Sequence, residues 1–370
     1  MSTILEGKGY YLWKIDRVEG GSPYKIAEEA HRAGLSHVLI KVADGRGDYN
    51  VDRDTKRDLV PPLIEALRAR GIQPWGWHYI YGKYPQTEAK KAIERINQLD
   101  LDGYIVNAEK EFKFTGMDVP AKIYMQELRK KITNIPIGLS TYRYPSYHRP
   151  FPFETFLDYS DINMPQVYWV QANNPGAQLL KSMREYQNLR VWRTYFPTGA
   201  AYGEHGWRAT PEQVSAFLKA VRDYNLPGAN FWEWYYSKQN DGRLWEPVQN
   251  FPWPGSGSSQ PDVSLRYVDA LNEGDPDKVA ALYKQNGVHV TAKRTLQSPT
   301  KISNWYSELL TKQLPNARFQ ITGSSEKDNM RTLTWTAQAD TGRVLDGKDS
   351  IGVKDEQIAY HYSYFTVQSN

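Results

Sequence analysis

Three polar side chains lie close together where chemistry could be done. In LDGYIVNAEKEF (Leu101 to Phe112), the β-formers Tyr104, Ile105 and Val106 lead into Asn107, Glu109 and Glu111 at spacing two. Side chains two apart on a strand share a face, so an amide and one or two carboxylates point the same way from one strand end. A carboxylic acid held there can protonate a poor leaving group, and a second one can serve as base or nucleophile. The competing reading is a solvated loop start, with Lys110 and Lys113 beside the acids.

Candidates for the second carboxylate are Glu233, Asp44 and Glu111. Glu233 sits in FWEWYY, where an outward-facing charge among helices would be costly, so an inward place is expected. Trp232 and Trp234 then face the other way, and if they line the site, Glu233 does not. Lys41 and Asp44 could simply pair with each other. His78, in WGWHYIY, is either a core histidine or a site residue. Gln166 and Tyr168 end MPQVYW, and could hydrogen-bond a hydroxyl or an acyl carbonyl. Arg193 and Tyr195 end RVWRTYF, and Arg193 beside a catalytic acid would lower its pKa. The 7 His form no H-x-x-x-H or H-x-H pair, there is no G-x-S-x-G, and there is no cysteine. Thus no metal, cofactor, thiolate or serine-elbow chemistry is expected.

Strands and helices alternate around these residues. Strands are expected at 9–15, 37–43, 72–81, 101–112, 136–142, 161–169, 190–196 and 228–236, each but the last followed by a helical pattern. Helix signals include Gly34 and Gly71 as stops and Thr210-Pro211-Glu212-Gln213 as a capping box. Eight such strands within about 240 residues are the count and length of a (β/α)8 TIM barrel, whose active-site mouth lies at the C-terminal strand ends. A doubly wound sheet is disfavoured, because DRVEGG after the first strand lacks G-x-G-x-x-G.

Residues 1–250 therefore form one expected domain, 251–261 a Pro/Gly/Ser linker, and 262–370 a second domain. In that tail, helices at 263–272, 276–285 and 303–312 and strands at 289–292, 317–323, 330–340 and 357–367 predict a small α+β fold.

The net charge of +4 over 370 residues comes without a basic block, so nothing calls for nucleic acid. No run nears the ~20 apolar residues of a membrane span, and no signal peptide is visible at the start. The compartment stays open. The 12 Trp and 26 Tyr are many, and aromatics near strand ends can stack on the apolar faces of sugar rings.

Two resemblances carry this further. LIKVADG (Leu39 to Gly45), WGWHYIY (Trp75 to Tyr81) and Asn107-Ala108-Glu109 resemble the K-A-T-E-G, G-x-Y-H and Asp-x-Glu segments of glycoside hydrolase family 25, the lysozyme-like muramidases. Asp102, Gly103 and Glu109 also match a chitinase-type D-G-x-D-x-D-x-E pattern. The resemblance implies a glycosidase barrel acting on a polysaccharide or oligosaccharide of the cell-wall or amino-sugar kind, with Glu109 as general acid. The chain departs from the family at Asn107, where the family has Asp, and in strand one, which reads YYLW and lacks an acid. These departures point to the alternative of a non-catalytic carbohydrate-binding or scaffold barrel. The tail, with YVDALNEGDPDKVAALY, resembles the nuclear transport factor 2-like (SnoaL-like) family, a cone with one pocket that often dimerises through its sheet. Tyr267, His289, Trp305, Tyr306 and Tyr362 are the pocket liners so implied, and a homodimer through this domain is the partner implied.

Overall fold

The computed structural model describes residues 5–204, 206–239, 242–253, 262–327, 329–354 and 357–369. Residues 254–261 of the expected linker lie outside them. The chain divides into two compact units, 1–258 and 259–370.

In the first unit, eight strands alternate with helices: β1 (Gly7–Leu12), β2 (His37–Asp44), β3 (Gln73–Ile80), β4 (Gly103–Ala108), β5 (Ile137–Tyr142), β6 (Ile162–Gln166), β7 (Thr194–Tyr195 and Thr198–Ala200) and β8 (Gly228–Trp232). Each pairs in parallel with the next, and β1 pairs with both β2 and β8, so the sheet closes into a (β/α)8 barrel. The helices between them are α1 (Pro23–Arg32), α2 (Val60–Arg68), α3 (Pro85–Gln98), α4 (Asp118–Lys131), α5 (Phe153–Asp158), α6 (Pro175–Gln187) and α7 (Pro211–Asp223). Their starts follow local chemistry. Pro occupies the first turn of α1, and the Ser22 hydroxyl accepts from the Lys25 amide. The expected capping box of α7 is made on both sides by Thr210 and Gln213.

Strand alternation separates two cores. Tyr10, Leu12, Val38, Ile40, Tyr104 and Val106 face outward beneath the helices. Tyr11, Leu39, Trp75, Trp77, Ile105, Met164 and Phe196 fill the barrel. Two glycines make room for the large rings. A Cβ on Gly9 would lie 2.1 Å from His37 Nε2, and one on Gly103 would lie 2.4 Å from the Trp75 ring.

After β8 come α8 (Trp234–Ser237) and α9 (Glu246–Asn250). The buried Lys8 ammonium donates to the carbonyls of Val248 (2.7 Å), Gln249 (3.3 Å) and Phe251 (2.9 Å) around the end of α9. Burial lowers its pKa to about 8. Lys8→Met keeps the stem and removes these charged donors. Loss of about 2–3 kcal/mol is expected in urea unfolding, and a change under about 0.5 kcal/mol would count against this role.

The second unit places α10 (Val263–Glu273), α11 (Pro276–Ala281) and α12 (Pro299–Glu308) against a mixed sheet of β9 (Tyr283–Thr291), β10 (Thr295–Gln297), β11 (Arg318–Lys327), β12 (Met330–Gln338), β13 (Gly342–Lys354) and β14 (Gln357–Tyr364). The order is β10-β9-β14-β13-β12-β11, with only β9 and β14 parallel. β13 was not expected, and β9 begins where a helix was expected to continue. Asp349 and Gly347 occupy inward positions of β13, so its apolar alternation is broken; a Cβ on Gly347 would meet the Trp335 ring at 2.3 Å.

Candidate active site at the barrel mouth

β4 directs Ile105 and Asn107 into the barrel, and the chain leaves the strand at Glu109. Asn107 is 4% exposed and donates from Nδ2 to Glu109 Oε1 at 3.1 Å. Gln166, the last residue of β6, donates from Nε2 to the same oxygen at 2.8 Å, and also to Asn107 Oδ1 at 3.2 Å. The hydroxyl of Ser140 on β5 lies 3.4 Å from Gln166 Nε2. Amides from two separated strands thus converge on one half-buried carboxylate.

Aromatic groups surround it. Burial pushes the Tyr11 hydroxyl up to about 12, with a smaller contribution from the Glu109 charge. The hydroxyls of Tyr79, Tyr142 and Tyr168 are raised by burial first and by Glu109 in addition. Trp232 points into the barrel and packs on Tyr11, Trp13 and Trp77, with centroids 5.6–6.2 Å apart. Trp234 lies outside, against Tyr10 and Trp245. The Tyr11 hydroxyl and Trp77 Nε1 are buried without a hydrogen-bond partner among the described residues.

Each of the other acids has its own partner. Strand four ends before Glu111, which sits on a single helical turn (Lys110–Phe112) and accepts from the Tyr79 hydroxyl at 2.7 Å. Asp44 ends β2, where it accepts from Lys41 Nζ at 2.5 Å and from the Tyr81 hydroxyl at 2.7 Å. The expected Lys41–Asp44 pair is therefore present. Lys41 is 5% exposed, with its ammonium over the rings of Tyr49 and Trp77 at 4.2 and 4.8 Å. Burial lowers its pKa, while Asp44 and Glu109 oppose that shift.

Glu233 is placed differently from the strand position expected. β8 stops at Trp232, and Glu233 caps α8, accepting from the Tyr236 amide at 3.0 Å. It is 1% exposed, and burial raises its pKa to about 7 against the opposing amides of Tyr236, Tyr235 and Trp13. Its carboxyl thus caps the start of α8.

The expected places of Arg193 and Tyr195 are corrected. Strand seven runs on to Ala200, so Arg193 and Tyr195 stand at its start, away from the mouth. Arg193 donates to the carbonyls of Ser160 (2.6 Å) and Trp192 (3.0 Å), and Tyr195 donates outward to Ser182 Oγ at 2.6 Å. His78 is the core histidine of the two readings, facing outward between the Gly45 carbonyl (2.8 Å) and the Tyr124 hydroxyl (3.2 Å). Tyr168 lies just past β6, half-buried, with its ring 5.4 Å from that of Tyr202. The residues not foreseen are Tyr11, Trp77 and Tyr79. Their signal was present as aromatics at inward spacing two in YYLW and WGWHYIY. Among the described residues, no three His, Asp or Glu side chains converge as a metal site, and no helix is long and apolar enough to cross a membrane.

Comparison with known proteins bears on the second unit. Residues 265–361 match the family model of the SnoaL-like domain. The C-terminal unit is a SnoaL-like, nuclear transport factor 2-like domain. Similar solved structures include an NTF2-like protein from Cytophaga hutchinsonii, with 12% identity over 28% of this chain and 88% of that one, and a TM-score of 0.25. A protein with a ketosteroid isomerase-like fold from Catenulispora acidiphila, solved with trimethylamine, has 16% identity over 30% of this chain and 88% of that one, and a TM-score of 0.27. A protein from Sphaerobacter thermophilus has 18% identity over 28% and 94%, and a TM-score of 0.25. No curated protein matches the chain.

Within that domain Tyr267, His289, Trp305 and Tyr306 do converge, whereas Tyr362 is 38% exposed on the other face of β14.

Proposed function

We propose that the barrel is a glycoside hydrolase-like domain acting on a polysaccharide of the cell-wall or amino-sugar kind, with Glu109 as proton donor. One observation carries this reading: Glu109 stands at the C-terminal end of a barrel strand, oriented by Asn107 and Gln166 within an aromatic wall. A glycosidic oxygen leaves only with a proton, and an oriented carboxylic acid supplies it. Glu111 and Asp44, each bonded to a tyrosine, are the carboxylates left to act across the sugar, and Glu233 is occupied as a cap.

The rival reading, a non-catalytic glycan-binding barrel, is favoured by that same engagement of the other acids. It shares the aromatic wall, so binding alone does not separate the two. A panel of peptidoglycan fragments and chitin oligomers, scored for both retention and turnover, does. Under either reading Trp232→Ala lowers glycan affinity about 10-fold through lost stacking, read by titration calorimetry. Unchanged affinity in that variant would place the glycan elsewhere. A homodimer through the C-terminal sheet, whose Tyr360, Tyr362 and Tyr364 are exposed, belongs to the same reading. Light scattering of the full chain tests it, and a strict monomer would remove it.

A further inference from the structure

The interior of the C-terminal domain holds a polar cluster that the barrel chemistry does not use. His289 on β9 and His361 on β14 are register partners on parallel strands, and both are fully buried. Their rings stack at 4.5 Å with 6° between planes. His361 Nε2 lies 3.2 Å from Asp349 Oδ1 on β13, and both side chains are sealed from solvent. His361 Nδ1 meets the Tyr283 hydroxyl at 2.5 Å. From there, hydroxyl contacts run to Tyr306 (3.1 Å) and from Tyr306 to Tyr267 (3.2 Å). Tyr306 spends its hydrogen on Tyr267, so it accepts from Tyr283, which in turn accepts from His361 Nδ1–H. Asp349 Oδ1 and His361 Nε2 are thus near neighbours, and neither has a hydrogen-bond partner among the described residues.

His289 makes no ion pair among the described residues. Its Nε2 meets Ser363 Oγ at 2.7 Å, and its Nδ1 has no partner among them. The groups facing it are Trp305 and Tyr306 from α12, Tyr283 from its own strand, and His361 and Ser363 from β14, while Tyr267 from α10 and Asp349 from β13 reach His361 instead. A proton on His289 would put a cation in a dry interior, stacked face to face on a second imidazole and without an ion-pair partner of its own. Burial, and then His361, hold its pKa down to about 2.

We propose that this stacked histidine pair is an acid-operated latch, which keeps β9 and β14 on helices α10 and α12 at neutral pH and releases them as the medium acidifies. The closed domain takes up no proton at His289, whereas the opened one does so near the ordinary histidine value. The opening equilibrium therefore rises about 30-fold between about pH 7.5 and pH 5.

Hydrogen exchange of the full chain, followed by mass spectrometry and corrected for intrinsic rates, reads this locally in β9 and β14 peptides. The expected result is a rise of about 30-fold in the parent and of less than about 3-fold in His289→Gln, which keeps a donor toward Ser363 but cannot titrate. No rise in the parent, or an equal rise in both, overturns the latch. Should H289Q fail to fold, the parent's imidazole proton resonances decide. His289 must stay neutral until protection is lost. Reversible titration near the ordinary value of about 6.5 within a protected domain would overturn the proposal.

Discussion

Replacing Glu109 by Gln is expected to cut turnover of a cleaved glycan about 100- to 10,000-fold, while glycan affinity stays within about 3-fold of the parent. The substitution changes little except the proton. The carboxamide oxygen of the variant can still accept from Asn107 and Gln166, which hold Glu109 Oε1 at 3.1 and 2.8 Å in the parent. What is lost is a group able to hand a proton to the departing oxygen. A loss confined to kcat marks an interaction made in the transition state, whereas a rise confined to KM would mark Glu109 as a binding residue only. Steady-state kinetics on soluble oligomers, beside calorimetry on the same ligands, separates the two.

The second large effect is on stability in acid. His37 and His78 are fully buried in the barrel unit, and burial pushes both down to about 4. His37 lies inside, between Asn230 Oδ1 (2.6 Å) and Ser36 Oγ (2.8 Å). His78 lies outside the strands, on the Gly45 carbonyl and Tyr124. Each folded pKa is below the unfolded value of about 6.5, so the unfolded chain binds more protons in acid. Their full contribution is present above about pH 6.5 and is lost as pH falls toward about 4, to a limit of about 3 kcal/mol for each. Glu233, raised by burial to about 7, gains its proton on folding over the same window and offsets about one histidine's share, so the urea midpoint should fall by about the contribution of one histidine between about pH 6.5 and pH 4. His78→Gln should remove most of that net fall, and a slope unchanged in the variant would mean that His78 is not held neutral by the fold.

The barrel is legible in sequence because each strand buries both faces, which writes β-branched and aromatic runs between helix caps. Glu109, Asn107 and Gln166 are legible for a local reason: each lies at the end of an apolar run, and strand alternation sets its side. Arg193 and Tyr195 are misplaced because strand seven continues past Pro197 into Thr198–Ala200, a stretch without β-branched apolar residues. Glu233 is misplaced because FWEWYY has strand propensity throughout, while the chain turns into α8 after Trp232. β13 is missed because a buried Asp349 and Gly347 break its apolar alternation, and the buried His361 beside Asp349 is not visible in the local pattern.

The most direct measurement is digestion of peptidoglycan and chitin oligomers in ¹⁸O-labelled water, with products weighed by mass spectrometry. Hydrolysis places one labelled oxygen at each new reducing end in the parent and none in Glu109→Gln. Glycan retained by both proteins, with no labelled end formed by either, would contradict the hydrolase reading and leave a carbohydrate-binding barrel.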